Sequence, residues 1–207
     1  MDDYINELLN RFDYIGELQN NDLDYINRLQ NNDPKLVELS FITIENINII
    51  AFSEALKVNT NIRFLNFKMY QNCSDNESII IFSEALKVNT SLQKLTLHQN
   101  KINNIGAIAI SEVLKVNSTL QELYISYNNI EEQGAIAIAE ALRINTSLKI
   151  LSIFDNNIGA GGENALRNAL QYNHTLEQLY GFDVKELLSE ENRMIKKRFS
   201  TTKCCRR

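Results

Sequence analysis

The sequence predicts an α/β fold, a curved right-handed solenoid with short parallel strands on its concave side and helices on its convex side. Three observations predict it. The string FSEALKVNT at residues 52–60 returns unchanged at residues 82–90. Related strings begin at Leu56, Leu86, Leu114, Leu142 and Leu170, at spacings of 30, 28, 28 and 28 residues. Each string passes from apolar residues at period two to apolar residues at helical spacing, the mark of a strand followed by a helix. A unit this short cannot bury its own apolar face, so neighbouring copies must do so.

Residues 1–30 are expected to form an acidic, helical N-terminal cap. The triplet DYI recurs at Asp3, Asp13 and Asp24, and Ile5, Leu8, Leu9, Phe12 and Ile15 follow helical spacing. Asp22 stands where the N-cap of a second helix would be. Residues 31–182 hold the array of about five to six units, and a weaker first copy, LQNNDPKLVELSF, begins at Leu29.

One unit shows the physics. In LQKLTLH, Leu95 and Leu97 alternate with Lys94, Thr96 and His98, so one face of a short strand is buried. The turn that follows holds Asn100, matched by Asn128 and Asn156. Its backbone groups are shielded from water, and an amide side chain supplies both a donor and an acceptor. GAIAISEVLKVN (106–117) and GAIAIAEALRIN (134–145) are the helices, rich in Ala so that neighbours can approach closely. Asn59, Asn89, Asn117, Asn145 and Asn173 end each helix, and Asn tolerates the left-handed backbone that such ends adopt. After the array, Asp183 followed by Glu186 has capping-box spacing and opens a terminal capping helix over 183–199. Residues 200–207, STTKCCRR, form a basic tail containing cysteines.

Composition narrows the function classes. No apolar run approaches the ~20 residues that span a bilayer, and the first residues lack the basic start and apolar stretch of a secretory signal. Cys73, Cys204 and Cys205 make no disulfide framework, and His98 and His174 make no zinc site. The expectation is a cytoplasmic monomer without metal or cofactor. Charge is uneven: residues 1–33 carry eight acids and two bases, whereas 193–207 carry seven bases and no acid. The acidic remainder argues against nucleic acid as a partner.

Nothing catalytic stands out. GAGG at 159–162 lacks the Lys-Ser/Thr of a phosphate loop. His98 falls on the concave strand face without a Ser or Cys partner, and His174 replaces Thr in its loop. Glu131 and Glu132 open a helix, where negative charge suits the dipole. The expected binding surface is the concave face, with three outward rows. They run Glu38, Phe64, Lys94, Glu122, Ile150, Gln178; then Ser40, Asn66, Thr96, Tyr124, Ser152, Tyr180; then Ile42, Lys68, His98, Ser126, Phe154, Phe182. Tyr124, Ile150, Phe154, Tyr180 and Phe182 gather toward its C-terminal end, and clustered exposed aromatics mark binding patches. In the tail, CCRR resembles the double-cysteine ends of lipidated small GTPases. Cys204 and Cys205 are therefore candidate lipidation sites, through which alone the chain would meet a membrane.

The pattern L-x-x-L-x-L-x-x-N at a period near 28 resembles the leucine-rich repeats of the ribonuclease-inhibitor-like class. INRLQNNDPKLVELSF (26–41), SDNESIIIFSEALKVNTSL, ALRNALQYNHTLEQLYGF and NRMIKKRF are similar to the C-terminal repeat domain of tropomodulin and leiomodin, over roughly residues 26–200. That resemblance implies about five repeats, a terminal helix with a basic end, and binding at the pointed end of actin filaments. It places candidate contacts around Tyr70–Ser78, in neighbouring loops, and in the terminal helix with Arg193, Lys196, Lys197 and Arg198. The acidic stretch ahead of the match does not look like the family's other actin- and tropomyosin-binding segments. Two functions follow as expectations: a non-enzymatic protein-interaction module using the concave face, or a tropomodulin-like binder of actin filament ends.

Overall fold

A computed structural model describes residues 20–44, 49–69 and 76–181, with side chains described over 24–40, 49–66 and 76–181. Outside them lie the expected cap helix before residue 20, Cys73 and the irregular turn at 70–75, the side chains of Ile42 and Lys68, Phe182, the terminal helix 183–199, and the tail with Cys204 and Cys205.

Helices and strands alternate. In chain order they are α1 (Asn20–Gln30), β1 (Glu38–Ile44), α2 (Ile49–Val58), β2 (Phe64–Met69), α3 (Glu77–Val88), β3 (Lys94–Thr96), α4 (Asn104–Val116), β4 (Glu122–Tyr124), α5 (Glu132–Leu142), β5 (Ile150–Ser152), α6 (Gly159–Tyr172) and β6 (Gln178–Tyr180). The strands form one sheet in sequence order, each parallel to the next. Parallel neighbours need a crossover, and a helix supplies each one described. Asp22 lies inside α1 rather than ahead of it, so it does not cap that helix.

Leu39, Leu65, Leu95, Leu123, Leu151 and Leu179 stand in register across the sheet. All are buried, and they meet Ile110, Ile138 and Leu166 from the helices in one continuous core. β1 departs from the repeat. Leu39 pairs with Leu65, but Ile42 pairs with Phe67 and Thr43 with Lys68, so β1 carries one extra residue. Ile42 therefore does not continue the row expected for it, whereas the Ser40 hydroxyl donates to the Glu38 carboxylate on the same face.

The backbone polar groups between repeats are satisfied by three side-chain ladders. The first runs along the helix C-termini. Asn89 donates from Nδ2 to the Leu56 carbonyl (2.7 Å) and the Asn59 carbonyl (3.1 Å), and its Oδ1 accepts from the N–H groups of Ser91 (3.0 Å) and Leu92 (2.8 Å). Asn117, Asn145 and Asn173 repeat the pattern. The expected left-handed conformation is not what selects Asn here. Asn89, Asn117 and Asn173 are extended, with φ of −68°, −75° and −77°. The residue is needed because its amide both donates and accepts where the chain leaves a helix for a buried strand.

The second ladder follows the strands. Asn128 donates to the Leu97 and Ile125 carbonyls (both 2.9 Å) and accepts from the N–H groups of Asn100 (2.8 Å) and Ile102 (3.0 Å). The third lies at the helix N-termini. Asn76 accepts from the N–H of Asn103 (3.0 Å), Asn104 from those of Glu131 and Gly134 (both 2.9 Å), and Glu132 from that of Gly161 (3.2 Å). This ladder requires a glycine at Gly134, where a Cβ would stand 2.8 Å from both Ala107 Cβ and Asn104 Oδ1.

Candidate functional site

The core leucines and ladder asparagines recur from unit to unit, whereas the strand positions facing the concave side change. The first outward row forms as expected, with Glu38, Phe64, Lys94, Glu122, Ile150 and Gln178 in register. Phe64 is exposed, and Lys94, Glu122, Ile150 and Gln178 are half-buried. Asn66, Thr96, Tyr124, Ser152 and Tyr180 align as the second row.

Lys94 and Glu122 on this face pair with each other. Lys94 Nζ lies 3.1 Å from Glu122 Oε2 and 5.0 Å from the centroid of the Tyr124 ring. The Tyr124 hydroxyl donates to the same carboxylate at 2.9 Å. Burial first, and then that carboxylate, push the Tyr124 hydroxyl up to about 12. The Tyr180 hydroxyl donates to Gln178 Oε1 at 2.6 Å. What these groups leave to a partner is mostly ring surface and methylene stems.

Beside the strands stands a cluster of rings. His98 follows β3, and its ring lies 5.9 Å from Tyr124, 6.4 Å from Tyr127 and 6.4 Å from Phe154. Tyr127 and Phe154 meet edge to face at 5.0 Å. Burial holds His98 below the ordinary imidazole range, against the opposing effect of its hydrogen bond to the Ser126 carbonyl. The structure thus joins the expected His98, Tyr124 and Phe154. Phe64, on β2, is not in the ring cluster, and Tyr180 sits at the far edge of the described sheet.

Two features of this site escape the row pattern. Ser126 and Ser152 were expected to face outward, but both are buried and share an Oγ–Oγ hydrogen bond of 2.8 Å. Small hydroxyls between large neighbours are covered by them. Conversely, Tyr127 falls in a turn, outside the strand rows, and is 48% exposed. Gln99, Tyr127 and Asp155 each precede a ladder asparagine and have positive φ (58°, 56° and 52°). An aromatic residue at a turn position held elsewhere by Gln or Asp was the available signal. Burial and then the Asp155 carboxylate raise the Tyr127 hydroxyl above its usual range.

Among the described residues no group of three or more His, Cys, Asp or Glu side chains could hold a metal ion, and no helix is long and apolar enough to cross a membrane. Arg193, Lys196, Lys197, Arg198, Cys204 and Cys205 lie outside the described residues.

A family described as Leucine Rich repeat matches residues 88–111, 116–139 and 145–162. A comparison with curated protein sequences finds no match. Among solved structures, the chain is similar to Leiomodin-1 Actin-Binding Site 2, with a TM-score of 0.58 and 25% identity over 86% of this chain and 88% of that one. It is also similar in fold to the tropomodulin C-terminal domain of Caenorhabditis elegans, with a TM-score of 0.52 and 18% identity over 86% of this chain and 89% of that one. With its repeat period, its single parallel sheet and these likenesses, the chain carries leucine-rich repeats in an array similar to the repeat domains of leiomodin and tropomodulin.

Proposed function

We propose that this chain is a non-enzymatic protein-interaction module that docks a partner on its concave face. The observation that carries the reading is the contrast between positions. The residues that build the stack recur, whereas Phe64, Lys94, Glu122, Ile150 and Gln178 occupy one register row and share no residue type. The exposed Tyr127 and the half-buried Tyr124, Phe154 and His98 form one ring cluster in that variable region, and aromatic clusters of this kind anchor interfaces. The test is capture of partners from cytosol by the folded chain, compared with a Tyr127→Ala/Phe154→Ala variant. The reading requires a partner that the wild type retains and the variant loses.

The likeness to an actin-binding site of leiomodin-1 supports a narrower reading, in which the partner is actin at a filament pointed end. In that reading Arg193, Lys196, Lys197 and Arg198 supply positive charge toward acidic actin, so binding weakens with salt. Measured on this repeat domain by itself, without linked sites whose avidity contributes factors of about 10²–10⁴, micromolar affinity is expected. Elongation from seeds capped at their barbed ends, with the chain titrated to high micromolar, tests this reading. Unchanged elongation rejects it and leaves the general module. Lipidation of Cys204 and Cys205 is a separate proposal, tested by the intact mass of the protein from its native cell.

A further inference from the structure

The ladder asparagines at the helix C-termini share a second property. Asn89-Thr90-Ser91, Asn117-Ser118-Thr119, Asn145-Thr146-Ser147 and Asn173-His174-Thr175 each read Asn-X-Ser/Thr, the acceptor triplet for N-linked glycans. Asn72-Cys73-Ser74 and Asn76-Glu77-Ser78 read the same way. Such acceptors ordinarily stand on a surface. Here the five among the described residues are buried, between 1% and 6% exposed.

The stack itself produces the triplet. Two residues after each of these ladder asparagines a hydroxyl reaches back to the preceding unit. Ser91 Oγ donates to the Asn59 carbonyl (3.1 Å), Ser147 Oγ to the Asn117 carbonyl (3.2 Å) and Thr175 Oγ1 to the Asn145 carbonyl (3.4 Å). After Asn59 the same place is held by Asn61, whose amide donates to the Asn32 carbonyl. The fold needs a short donor there, and wherever that donor is a hydroxyl a glycan acceptor arises. Glycan transfer forms a bond from sugar C1 to Nδ2, breaks the bond from C1 to a lipid diphosphate, which leaves, and removes one Nδ2 proton. In the folded chain both protons are engaged. Asn89 gives them to the Leu56 and Asn59 carbonyls, Asn117 to Leu86 and Asn89, and Asn173 to Leu142 and Asn145, at 2.7–3.1 Å. Asn145 gives them to the Leu114 carbonyl (2.7 Å) and Ser147 Oγ (3.2 Å). A sugar on Nδ2 would cancel one of these bonds and would stand where the neighbouring repeat packs.

We infer that N-glycan transfer and folding exclude each other in this chain: Asn89, Asn117, Asn145 and Asn173 are acceptors only while it is unfolded, and a glycan on any one of them keeps its repeat from stacking. Each repeat is held by its neighbours alone, so one glycan in the middle of the array divides it. A glycan on Asn117 separates α4 from α3, whose Leu86 carbonyl loses its donor. The array therefore belongs to compartments without that transferase, and its partner is to be sought there. The inference stands on the ladder and owes nothing to the concave-face reading.

The test supplies the transferase. The full chain is translated with microsomes as Asn72→Gln, which removes the acceptor outside the described residues. Three forms are compared: without a leader, with an added secretory leader, and with that leader plus an excess of an Asn-X-Thr peptide that competes for the glycan. Peptide mass spectrometry reads the glycan sites, and resistance to protease reads the fold. The leaderless chain is expected to be unmodified and resistant. The lumenal chain is expected to carry glycan on one or more of Asn89, Asn117, Asn145 and Asn173 and to be digested at least about tenfold faster. With the competing peptide the lumenal chain is expected to be unmodified and as resistant as the leaderless one. A lumenal chain that escapes glycan at all four positions would overturn the inference. So would a chain glycosylated at any of them that resists protease like the leaderless one, or an unmodified lumenal chain digested as fast as the glycosylated one.

Discussion

The side-chain amide of Asn117 reaches back one repeat and donates to the Leu86 carbonyl at 2.7 Å, while its Oδ1 accepts from Leu120 N–H at 2.8 Å. One residue thus closes a helix, positions the next strand and bonds to the preceding unit. The same geometry at Asn89, Asn145 and Asn173 makes stacking a property of each unit.

Removing this amide strands several buried groups at once. Asn117→Ala is expected to cost about 2–4 kcal/mol, because orphaned buried donors and acceptors each cost about 1–3 kcal/mol and the site relaxes in part. Asn117→Asp should also destabilise, since a carboxylate keeps the acceptor but cannot donate to Leu86. Urea unfolding of both variants checks this, and two unchanged midpoints would mean that the ladder does not carry the stack.

Leu123 is fully buried at the centre of β4. Leu123→Ala is expected to cost about 2–5 kcal/mol through lost burial and a residual cavity. Thermal or urea melts read the loss directly.

Gly134 offers a test in which two effects oppose. Alanine gains about 1 kcal/mol in helix propensity. Here its Cβ would lie 2.8 Å from Ala107 Cβ, which cannot swing aside. Overpacking costs about 1–3 kcal/mol, so Gly134→Ala is expected to be net destabilising. A raised melting temperature would show that the helices have more room than the third ladder allows.

Ser83 lies in the repeated FSEALKVNT string, is buried, and has a hydroxyl without a hydrogen-bond partner. Ala139 holds the corresponding place in α5. Ser83→Ala is therefore expected to stabilise by about 0.5–1 kcal/mol, by sparing an uncompensated polar burial. A loss of stability in differential scanning would reveal a role for this hydroxyl.

The Tyr124 hydroxyl, held up to about 12, is a weaker acid in the folded chain than in the unfolded one. Between about pH 10 and that value the unfolded state has released the proton and the native state has not, so stability falls as pH rises through this window. In a spectrophotometric titration Tyr124 should ionise late. Glu122→Gln should bring it earlier, leaving burial as the main remaining cause.

The architecture was legible because each element has its own signal: alternation at Leu95 and Leu97, the turn asparagines Asn100, Asn128 and Asn156, and a fixed period. What escaped depends on contacts between units. Asn89 and Asn117 read as left-handed helix ends because a single copy does not show that their amides serve the previous repeat. The extra residue in β1 has no composition signal, only a broken register. Ser126 and Ser152 follow the outward period, yet they are buried and bonded to each other. Tyr127 belongs to a turn, so a search of strand positions passes over it.

The central claim is that binding lies on the concave ring cluster. The most direct measurement compares capture of partners by three folded forms of the chain: wild type, Tyr124→Ala/Tyr127→Ala/Phe154→Ala, and a convex control, Ile105→Ala/Ile108→Ala, whose two isoleucines are 55% and 45% exposed on α4. With purified partner and matched amide spectra, calorimetry should show the concave variant weakened by at least about tenfold, about 1.4 kcal/mol, with the convex control unchanged. Equal affinity of the concave variant and wild type, or a loss confined to the convex control, would contradict the account.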